Sequence, residues 1–418
     1  MSVIITHRLP SGATLLIEPI SGVRSAAVNW RVPAGAATDP ADRQGQATML
    51  SELIFRGAGG LDSRSHSDAL DRLGVQRAAD PLAHHIQIEA TMLGSRLDDA
   101  AGLIASLVCG PTLDDAEVAP VRSLCLQSLQ GLEDDPQHLA MLRLREQHLP
   151  PPLDRHGYGD AGVLESITGA ELREAWKHRF VPPGSIIAAA GAVDADRWIQ
   201  TLERELAGWQ GAAPSPLSFG DPRRGSRHIE QDTSQVHIGL AYDAPPESDP
   251  NAMLERAATA VLSGSSSGRL FTEVRQKRSL CYSVGASYRS GREGGWVALY
   301  AGTTPERAQE TLDVCGQEIE RLREGVTAEE FERAIVGMKS HLIMHGESTP
   351  ARAAALANDQ FRLGRPRSLA DVAAEIDALT RSDLNAYLAD RGFGPFTVVS
   401  IGPTPLEAPV ASAEAGAA

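Results

Sequence analysis

The sequence repeats itself, and this repetition limits how the chain can fold more than any other feature. A strand-like run at 25–35 (SAAVNWRVPAG) has a counterpart at 234–245 (SQVHIGLAYDAP). Each run leads through a polar loop to a helix-like segment rich in small and apolar residues, at 45–57 and at 251–264. Self-similarity in matching order along a chain indicates two copies of one structural unit.

The later elements also recur in the same order in each half. Paired strands are followed by long helices, and each half closes with a short helix and a final strand, at 167–193 and at 379–403. A Thr begins each of these short helices and is the predicted N-cap. Strands mixed with helix pairs are typical of an α+β fold. We predict two tandem homologous domains, each a mixed β-sheet with helices packed on one face, that together form half of a clamshell.

Composition predicts where the domains end. Residues 211–228 lie in a stretch rich in Gly, Pro and Ser without apolar periodicity, which is typical of a linker. The sequence therefore predicts an N-terminal domain over 1–210 and a C-terminal domain over 229–404, both of ordinary domain size. Residues 405–418 are predicted to be a disordered tail.

Charge and hydropathy argue against several classes of protein. The formal net charge is −15 and no basic patch stands out, so nucleic acid is not an expected partner. No apolar run approaches the ~20 residues that cross a bilayer, and the N-terminus lacks the pattern of a signal peptide. The four scattered cysteines are typical of free thiols in a reducing compartment. We therefore expect a cytoplasmic protein with no membrane partner.

The first helix-like segment, GQATMLSELIFRG, carries polar residues in an apolar setting. Thr48, Ser51 and Glu52 lie at i, i+3 and i+4 and therefore share one helix face. Polar side chains on a buried face cost free energy unless they are hydrogen-bonded or solvated. The stripe is therefore expected to form local hydrogen bonds or to face a solvated chamber.

This segment resembles the inverted zinc-motif helix of the insulinase/pitrilysin-type metallopeptidases. The likeness is strongest to the two-domain branch that includes the mitochondrial processing peptidase and its bacterial homologues. In that family the helix reads H-x-x-E-H, where two His bind zinc and the Glu activates the metal-bound water. Here Thr48 and Glu52 stand at the His positions, and Ser51 stands at the position of the general base.

The family's third zinc ligand is a Glu on a later helix, which the stretch 124–136 (LCLQSLQGLEDDP) resembles. Gln127 and Ser128 occupy the expected carboxylate pair. Hydroxyls and amides are poor zinc ligands beside imidazole, thiolate and carboxylate. With Glu52 as the one usable ligand, we expect no catalytic zinc in this chain.

Residues 261–288 (VLSGSSSGRLFTEVRQKRSLCYSVGASY) resemble a second segment of the same family, with a Gly/Ser-rich turn followed by V-R-x-K-x-x-L-x-Y-S. The resemblance implies that Tyr282 hydrogen-bonds the scissile carbonyl oxygen and that Arg275 holds a nearby main-chain carbonyl. A fixed phenol O–H suits a developing oxyanion, and a guanidinium suits backbone carbonyls. A peptide backbone is expected to approach the flexible turn closely. The candidate substrate-binding residues of that turn are Gly264, Ser265, Ser266, Ser267 and Gly268.

The chain thus resembles a family member that keeps the substrate-gripping half of the active site and lacks the zinc half. Members of this branch work as pairs, some with one zinc-bearing and one zinc-free subunit. The resemblance therefore implies the zinc-free subunit of a heterodimeric metallopeptidase. Its expected partner is a homologous subunit with an intact motif, which carries the zinc, and its expected substrates are peptides. Alone, the chain is expected to be inactive and to need no cofactor.

Other interpretations stay open. Arg275 can be a solvated helix residue, and Tyr282 can be a core residue at the rim of a strand. The whole chain can be a non-enzymatic scaffold, or a module that binds peptides by adding a strand to a sheet edge. A lone hydrolase with an unconventional metal at His341 and His345, with Glu347 nearby, is a third interpretation. For those histidines, surface or packing roles are the favoured explanation.

Overall fold

The computed structural model describes residues 3–409. The strands of the first half of the chain are β1 (Ile5–Arg8), β2 (Thr14–Pro19), β3 (Ser25–Val32), β4 (Gly57–Ala58), β5 (Leu61–Asp62), β6 (Gln76–Pro81), β7 (Ile86–Leu93) and β8 (Ile186–Gly191). The helices of this half are α1 (Gln46–Leu53), α2 (Ser63–Arg72), α3 (Leu97–Cys109), α4 (Asp115–Gln130), α5 (Pro136–His148), α6 (Ala161–Ser166), α7 (Gly169–Arg179) and α8 (Ala195–Glu205).

The second half repeats this order of elements. Its strands are β9 (Ser226–Glu230), β10 (Val236–Ala244), β11 (Cys281–Ser290), β12 (Gly295–Thr303) and β13 (Thr397–Gly402). Its helices are α9 (Ala252–Ser263), α10 (Ala308–Glu320), α11 (Ala328–Gly346), α12 (Thr349–Leu363), α13 (Leu369–Asp377) and α14 (Arg381–Asp390). Thr168 and Thr380 cap α7 and α14 with their side chains, as predicted.

Each half of the chain builds one mixed β-sheet, which confirms the predicted fold class. The first sheet has the strand order β1-β2-β8-β3-β7-β6, with β2 and β8 parallel and the other neighbours antiparallel. The second sheet has the order β11-β12-β10-β13-β9, with only the pair β13 and β9 parallel. Helices of the same half pack on one face of each sheet and bury its main core.

The opposite face of the first sheet is covered by a helix from the other end of the sequence. Side chains alternate between the faces of a strand, so Leu16 points away from the core that holds Leu15 and Ile17. Leu16 packs against Leu356 and Ala357 of α12. Helix α12 also brings a buried ion pair to this face, because Arg352 lies 2.7 Å from Glu18 of β2.

The second sheet receives α5 in the same way. Leu144 of α5 packs in a small cluster with Ala241, Trp296 and Val399, on the face opposite to the main core. The helix approaches β10 so closely that a Cβ added at Gly239 would lie 3.2 Å from the Leu144 side chain. Each sheet is therefore helix-covered on both faces, whereas the sequence predicted helices on one face.

The compact units of the structure differ from the predicted continuous domains because of these two helices. Of the described residues, one unit contains 3–131, 151–220 and 345–368. The other contains 132–150, 221–344 and 369–409. Each unit thus consists mainly of one half of the sequence and takes one helical segment from the other half.

The predicted linker lies within the described residues, whereas the predicted tail is described only in part. No regular secondary structure occurs from 211 to 224, and β9 begins inside the predicted linker at Ser226. Residues 410–418 of the predicted tail lie outside the described part of the chain. Among residues 3–409, no helix combines the length and the apolar character needed to cross a bilayer.

Candidate functional site

Helix α1, which carries the polar stripe, takes its N-terminal cap from a distant carboxylate. Gly45 precedes the helix with a φ of 119°, a left-handed value that suits glycine. The backbone N–H groups of Gly45 and Ala47 donate to the Asp39 carboxylate at 2.8 and 3.0 Å. Arg179 pairs with the same buried carboxylate at 2.6 Å. Asp39 thus satisfies donors that the helix itself leaves open and fixes where α1 begins.

The Asp39→Ala variant is expected to lose about 3 kcal/mol or more of unfolding free energy, because it removes the helix cap and the neutralising partner of Arg179, whose side chain is only 11% exposed. Urea unfolding at constant m-value measures this loss. Asp42→Ala is the matched control, since the Asp42 side chain is 77% exposed. The control is expected to stay within about 0.5 kcal/mol of the parent protein. Equal losses in the two variants contradict the role given to Asp39.

The polar stripe on α1 is partly hydrogen-bonded and partly solvated. The Thr48 hydroxyl donates to the carbonyl of Gly157 at 2.9 Å, and the Ser51 hydroxyl donates to the carbonyl of Thr48 at 2.8 Å. Ser51 is buried, whereas Glu52 is exposed. The two hydroxyl protons are therefore committed to backbone acceptors, which explains how the stripe is tolerated beside the apolar core.

Helix α4, which carries Gln127 and Ser128, packs beside α1. Both residues are exposed. The buried neighbour on this helix is Cys125, whose thiol pKa is raised to about 12 by burial and by the charge of Glu52. In the metal-free chain that thiol therefore stays protonated at neutral pH.

The residues at the zinc-motif positions do not form a zinc-binding donor set. Glu52 is the single member of Thr48, Ser51 and Glu52 whose side chain zinc ordinarily takes as a ligand. Within the described range 3–409, no group of three or more His, Cys, Asp and Glu side chains is arranged to hold a metal ion. This range includes His341 and His345, which are exposed on α11.

The Gly/Ser-rich turn follows α9 and is mostly exposed. Its hydroxyls bond to one another, since the Ser265 and Ser267 oxygens lie 2.8 Å apart, and Gly268 donates its N–H to the Ser265 carbonyl at 2.9 Å. The preceding Ser263 accepts the backbone N–H of Ala286, on the edge strand β11, at 2.8 Å. The turn is therefore tied to the strand that carries Tyr282.

Arg275 lies in a π-helical segment, Phe271–Gln276, just before β11. π-Helical turns often occur at functional sites. The Arg275 side chain is exposed, and its guanidinium carbon lies 5.0 Å from the centre of the Phe271 ring. Its positive charge acts against the burial that raises the pKa of the Cys281 thiol. Arg275 is therefore within electrostatic reach of the residue next to Tyr282.

Tyr282 occupies a β-bulge at the start of β11. Cys281 pairs with Thr303 and Ser283 pairs with Gly302, so Tyr282 is the extra residue in the ladder. Bulges redirect side chains and are frequent beside active sites. The Tyr282 residue is 43% exposed, and its hydroxyl donates to Oε1 of Gln235 at 2.6 Å. The Tyr282 phenol is thus exposed to solvent, and its O–H group donates a hydrogen bond to a polar side chain.

Tyr300 and His237 lie close to Tyr282, and the sequence did not predict them as part of the site. The hydroxyl oxygens of Tyr282 and Tyr300 converge above Gly302, since a Cβ added at Gly302 would lie 2.7 Å from each of them. The Tyr300 oxygen also lies 2.9 Å from Nδ1 of His237. Their strands pair across the sheet, so no spacing along the sequence reveals the cluster; the i, i+2 position of Tyr300 and Gly302 on β12 is the one local signal.

The fold is shared with several solved structures. The crystal structure of a peptidase M16 inactive domain from Pseudomonas fluorescens matches with a TM-score of 0.87 and 22% identity, over 98% of this chain and all of that chain. A protease from Helicobacter pylori matches with a TM-score of 0.86 and 18% identity, over 96% of this chain and 100% of that one. These likenesses place the chain in the class of two-unit α+β proteins with an M16 peptidase fold.

The sequence comparisons find relatives over most of the chain. Residues 166–338 match the model of the peptidase M16 inactive domain. A Mycobacterium tuberculosis protein named an uncharacterized zinc protease is 27% identical, over 92% of this chain and 91% of that protein. A Bacillus subtilis protein of the same description is 22% identical, over 94% of this chain and 97% of that protein. The chain is thus similar to proteins of the M16 peptidase family, and the matched segment contains Arg275 and Tyr282.

Proposed function

We propose that this chain is the zinc-free subunit of a heterodimeric M16 metallopeptidase. In this proposal Arg275 and Tyr282 bind a substrate peptide whose scissile bond lies over the zinc of a homologous partner. The proposal rests on one contrast between the first and the second half of the chain. The zinc-motif face of α1 holds hydroxyls committed to backbone carbonyls, whereas the Arg/Tyr segment keeps both polar groups exposed.

In this proposal the chain contributes a hydrogen-bond donor, Tyr282, and a group that holds the substrate backbone, Arg275. Burial raises the pKa of Tyr282 above its ordinary value, so the hydroxyl keeps its proton at neutral pH and can donate it in a hydrogen bond. Such a donor stabilises negative charge on the carbonyl oxygen of the substrate during hydrolysis. Arg275 is always charged and suits a neighbouring main-chain carbonyl. Zinc on the partner supplies the activated water.

The Gly/Ser-rich turn supports a peptide as the substrate. Ser265, Ser266 and Ser267 are exposed, and the turn is bonded through Ser263 to the strand that carries Tyr282. Small side chains let a second backbone come close without steric conflict. We therefore assign the turn to the binding of peptide main chain beside the Arg/Tyr pair. The cytoplasm is the proposed location of the complex.

Zinc analysis combined with reconstitution tests the proposal. The purified chain alone is expected to hold far less than one zinc per molecule and to leave a mixture of quenched fluorescent peptides uncut. Addition of a homologous chain with an intact H-x-x-E-H helix is expected to produce zinc-dependent hydrolysis. The control partner carries H-x-x-Q-H, which lacks the general base. A chain that binds stoichiometric zinc and cuts peptides by itself contradicts the proposal.

The same experiment separates the scaffold alternative from the peptidase subunit. A non-enzymatic scaffold of this fold binds peptides but adds nothing to hydrolysis. If the partner cuts peptides at one rate with and without this chain, the scaffold role is the correct one.

A further inference from the structure

We propose that Tyr300 and His237 are positioning residues for Tyr282, and that Gln235 holds the Tyr282 hydroxyl until a peptide carbonyl replaces it. This inference rests on the function proposed for Tyr282 above. It assigns a second row of polar groups, on β10 and β12, to the oxyanion donor on β11. None of these three residues contacts the peptide: Tyr300 and Gln235 act on the Tyr282 phenol directly, and His237 acts on it through Tyr300.

The backbone explains why the two phenols meet. The bulge at Tyr282 shifts the register of β11, so that Cys281 pairs with Thr303 while Ser283 pairs with Gly302. Tyr300 lies two residues before Gly302 on β12, so both point to one face of the sheet. Gly302 has no side chain, and a Cβ added there would lie 2.8 Å from the ring carbon that bears the Tyr282 hydroxyl. The hydroxyls converge because this position is a glycine.

The donors and acceptors among Tyr282, Tyr300 and His237 then determine the direction of each hydrogen bond between them. Tyr282 donates its single proton to Gln235, at 2.6 Å, so its oxygen is an acceptor toward other groups. Tyr300, whose hydroxyl converges on the same point, is therefore the donor to Tyr282, and this contact lowers the pKa of Tyr282 against the raising effect of burial. Nδ1 of His237, 2.9 Å from the Tyr300 oxygen, is then the donor to Tyr300. Hydrogen bonds are therefore donated from His237 to Tyr300 and from Tyr300 to Tyr282.

This direction favours catalysis for a physical reason. A phenol that accepts a hydrogen bond becomes a stronger donor, because successive hydrogen bonds polarise one another. His237 is only 7% exposed, and it is held in the sheet by β10 and by its contact with Tyr300. The Tyr282 ring itself is nearly half exposed. The buried pair therefore gives a solvent-facing side chain a fixed orientation before substrate binds.

A peptide carbonyl has the same hydrogen-bonding character as the Gln235 side-chain oxygen. Gln235 follows β9 in a stretch without regular structure and precedes β10 directly. Its side-chain amide oxygen accepts a hydrogen bond from the Tyr282 hydroxyl in the free chain. Exchange of this acceptor for the substrate carbonyl keeps the number of hydrogen bonds constant, so the phenol is never left without an acceptor.

The Tyr300→Phe variant tests the inference in the isolated chain. Tyrosines labelled with 13C at Cζ report their ionisation by NMR, and the chain has six of them. The Tyr282→Phe spectrum assigns the Tyr282 signal. Loss of the Tyr300 donor is expected to raise the pKa of Tyr282. Tyr288→Phe is the matched control, because Tyr288 lies on the same strand and donates to the Pro245 carbonyl at 2.7 Å, outside this cluster. It is expected to leave the Tyr282 pKa unchanged.

A second variant and a second readout complete the test. His237→Leu removes the donor to Tyr300 and is also expected to raise the Tyr282 pKa. In the complex with a zinc-bearing partner, Tyr300→Phe is expected to lower kcat about two- to tenfold at constant KM, as the loss of one hydrogen bond does.

A Tyr282 pKa that does not move in either variant overturns the inference and leaves the proposed function standing. A shifted pKa with unchanged kcat overturns the positioning role. If the parent complex cuts no peptide at all, the proposed function fails, and the positioning role fails with it.

Discussion

Tyr282→Phe is expected to lower the turnover of the reconstituted peptidase by about one to three orders of magnitude, with a smaller effect on KM. The substitution removes one hydroxyl and keeps the ring. Tyr282 lies at the exposed side of a bulge and its hydroxyl bonds to Gln235, so the fold does not depend on this group. The loss is therefore a loss of stabilisation in the transition state, where charge develops on the carbonyl oxygen.

Initial rates on one quenched fluorescent peptide, at several substrate concentrations, measure this effect. Tyr288→Phe again serves as the control, because its hydroxyl bonds to the backbone carbonyl of Pro245. The control is expected to keep the parent kcat. A Tyr282→Phe complex that works at the parent rate removes Tyr282 from the mechanism, whatever the rest of the segment does.

Arg352→Ala is expected to cost about 3–5 kcal/mol of unfolding free energy, the largest stability effect that the structure suggests. Arg352 lies on α12 and is 4% exposed, and Glu18 on β2 is 1% exposed. Their charges lie 2.7 Å apart on the face of the first sheet that α12 covers. Alanine removes the guanidinium that neutralises the Glu18 carboxylate in a place that water does not reach.

Urea unfolding followed by tryptophan fluorescence suits this measurement. Trp30, Trp176, Trp198 and Trp209 all lie in the unit that contains the ion pair, and Trp296 alone lies in the other. The double variant Glu18→Leu with Arg352→Leu is the control, since apolar replacement of both partners of a buried pair is often neutral. A single variant as stable as this double variant refutes the importance of the pair.

The sequence predicts those parts of the fold that depend on local patterns. Alternation in 25–32 and 236–244 identifies the central strands β3 and β10, and the order of elements reveals the duplication. Thr168 and Thr380 identify helix starts because capping is a local interaction. The α+β class follows from these elements alone.

The exchange of α5 and α12 is not predicted from the sequence. Both segments are ordinary helix formers, and nothing in 136–148 or 349–363 specifies which sheet they cover. Their contacts span long separations, such as the 334 residues between Glu18 and Arg352. Local patterns carry no information about such pairings, so continuous domains were the natural prediction.

In the candidate site, too, the sequence predicts the residues that stand in a local pattern and misses those that depend on strand pairing. Arg275 and Tyr282 are found because they stand in one contiguous segment that resembles a family pattern. Tyr300 and His237 are missed because they reach Tyr282 across the sheet, through a register that the bulge changes by one residue. A bulge depends on the partner strand and leaves no clear pattern in its own sequence.

Cover of the first sheet by α12 has a consequence for how the protein is made. The strands that bear Leu16 and Ala188 leave the ribosome long before residues 349–363 exist, and their apolar outer face stays bare until that helix arrives. During that interval the nascent chain exposes a surface that attracts chaperones and other unfinished chains. Any truncated product that stops before 363 carries the same bare face for its whole lifetime. The first unit of this protein is thus among the first parts to be translated and among the last to be completed.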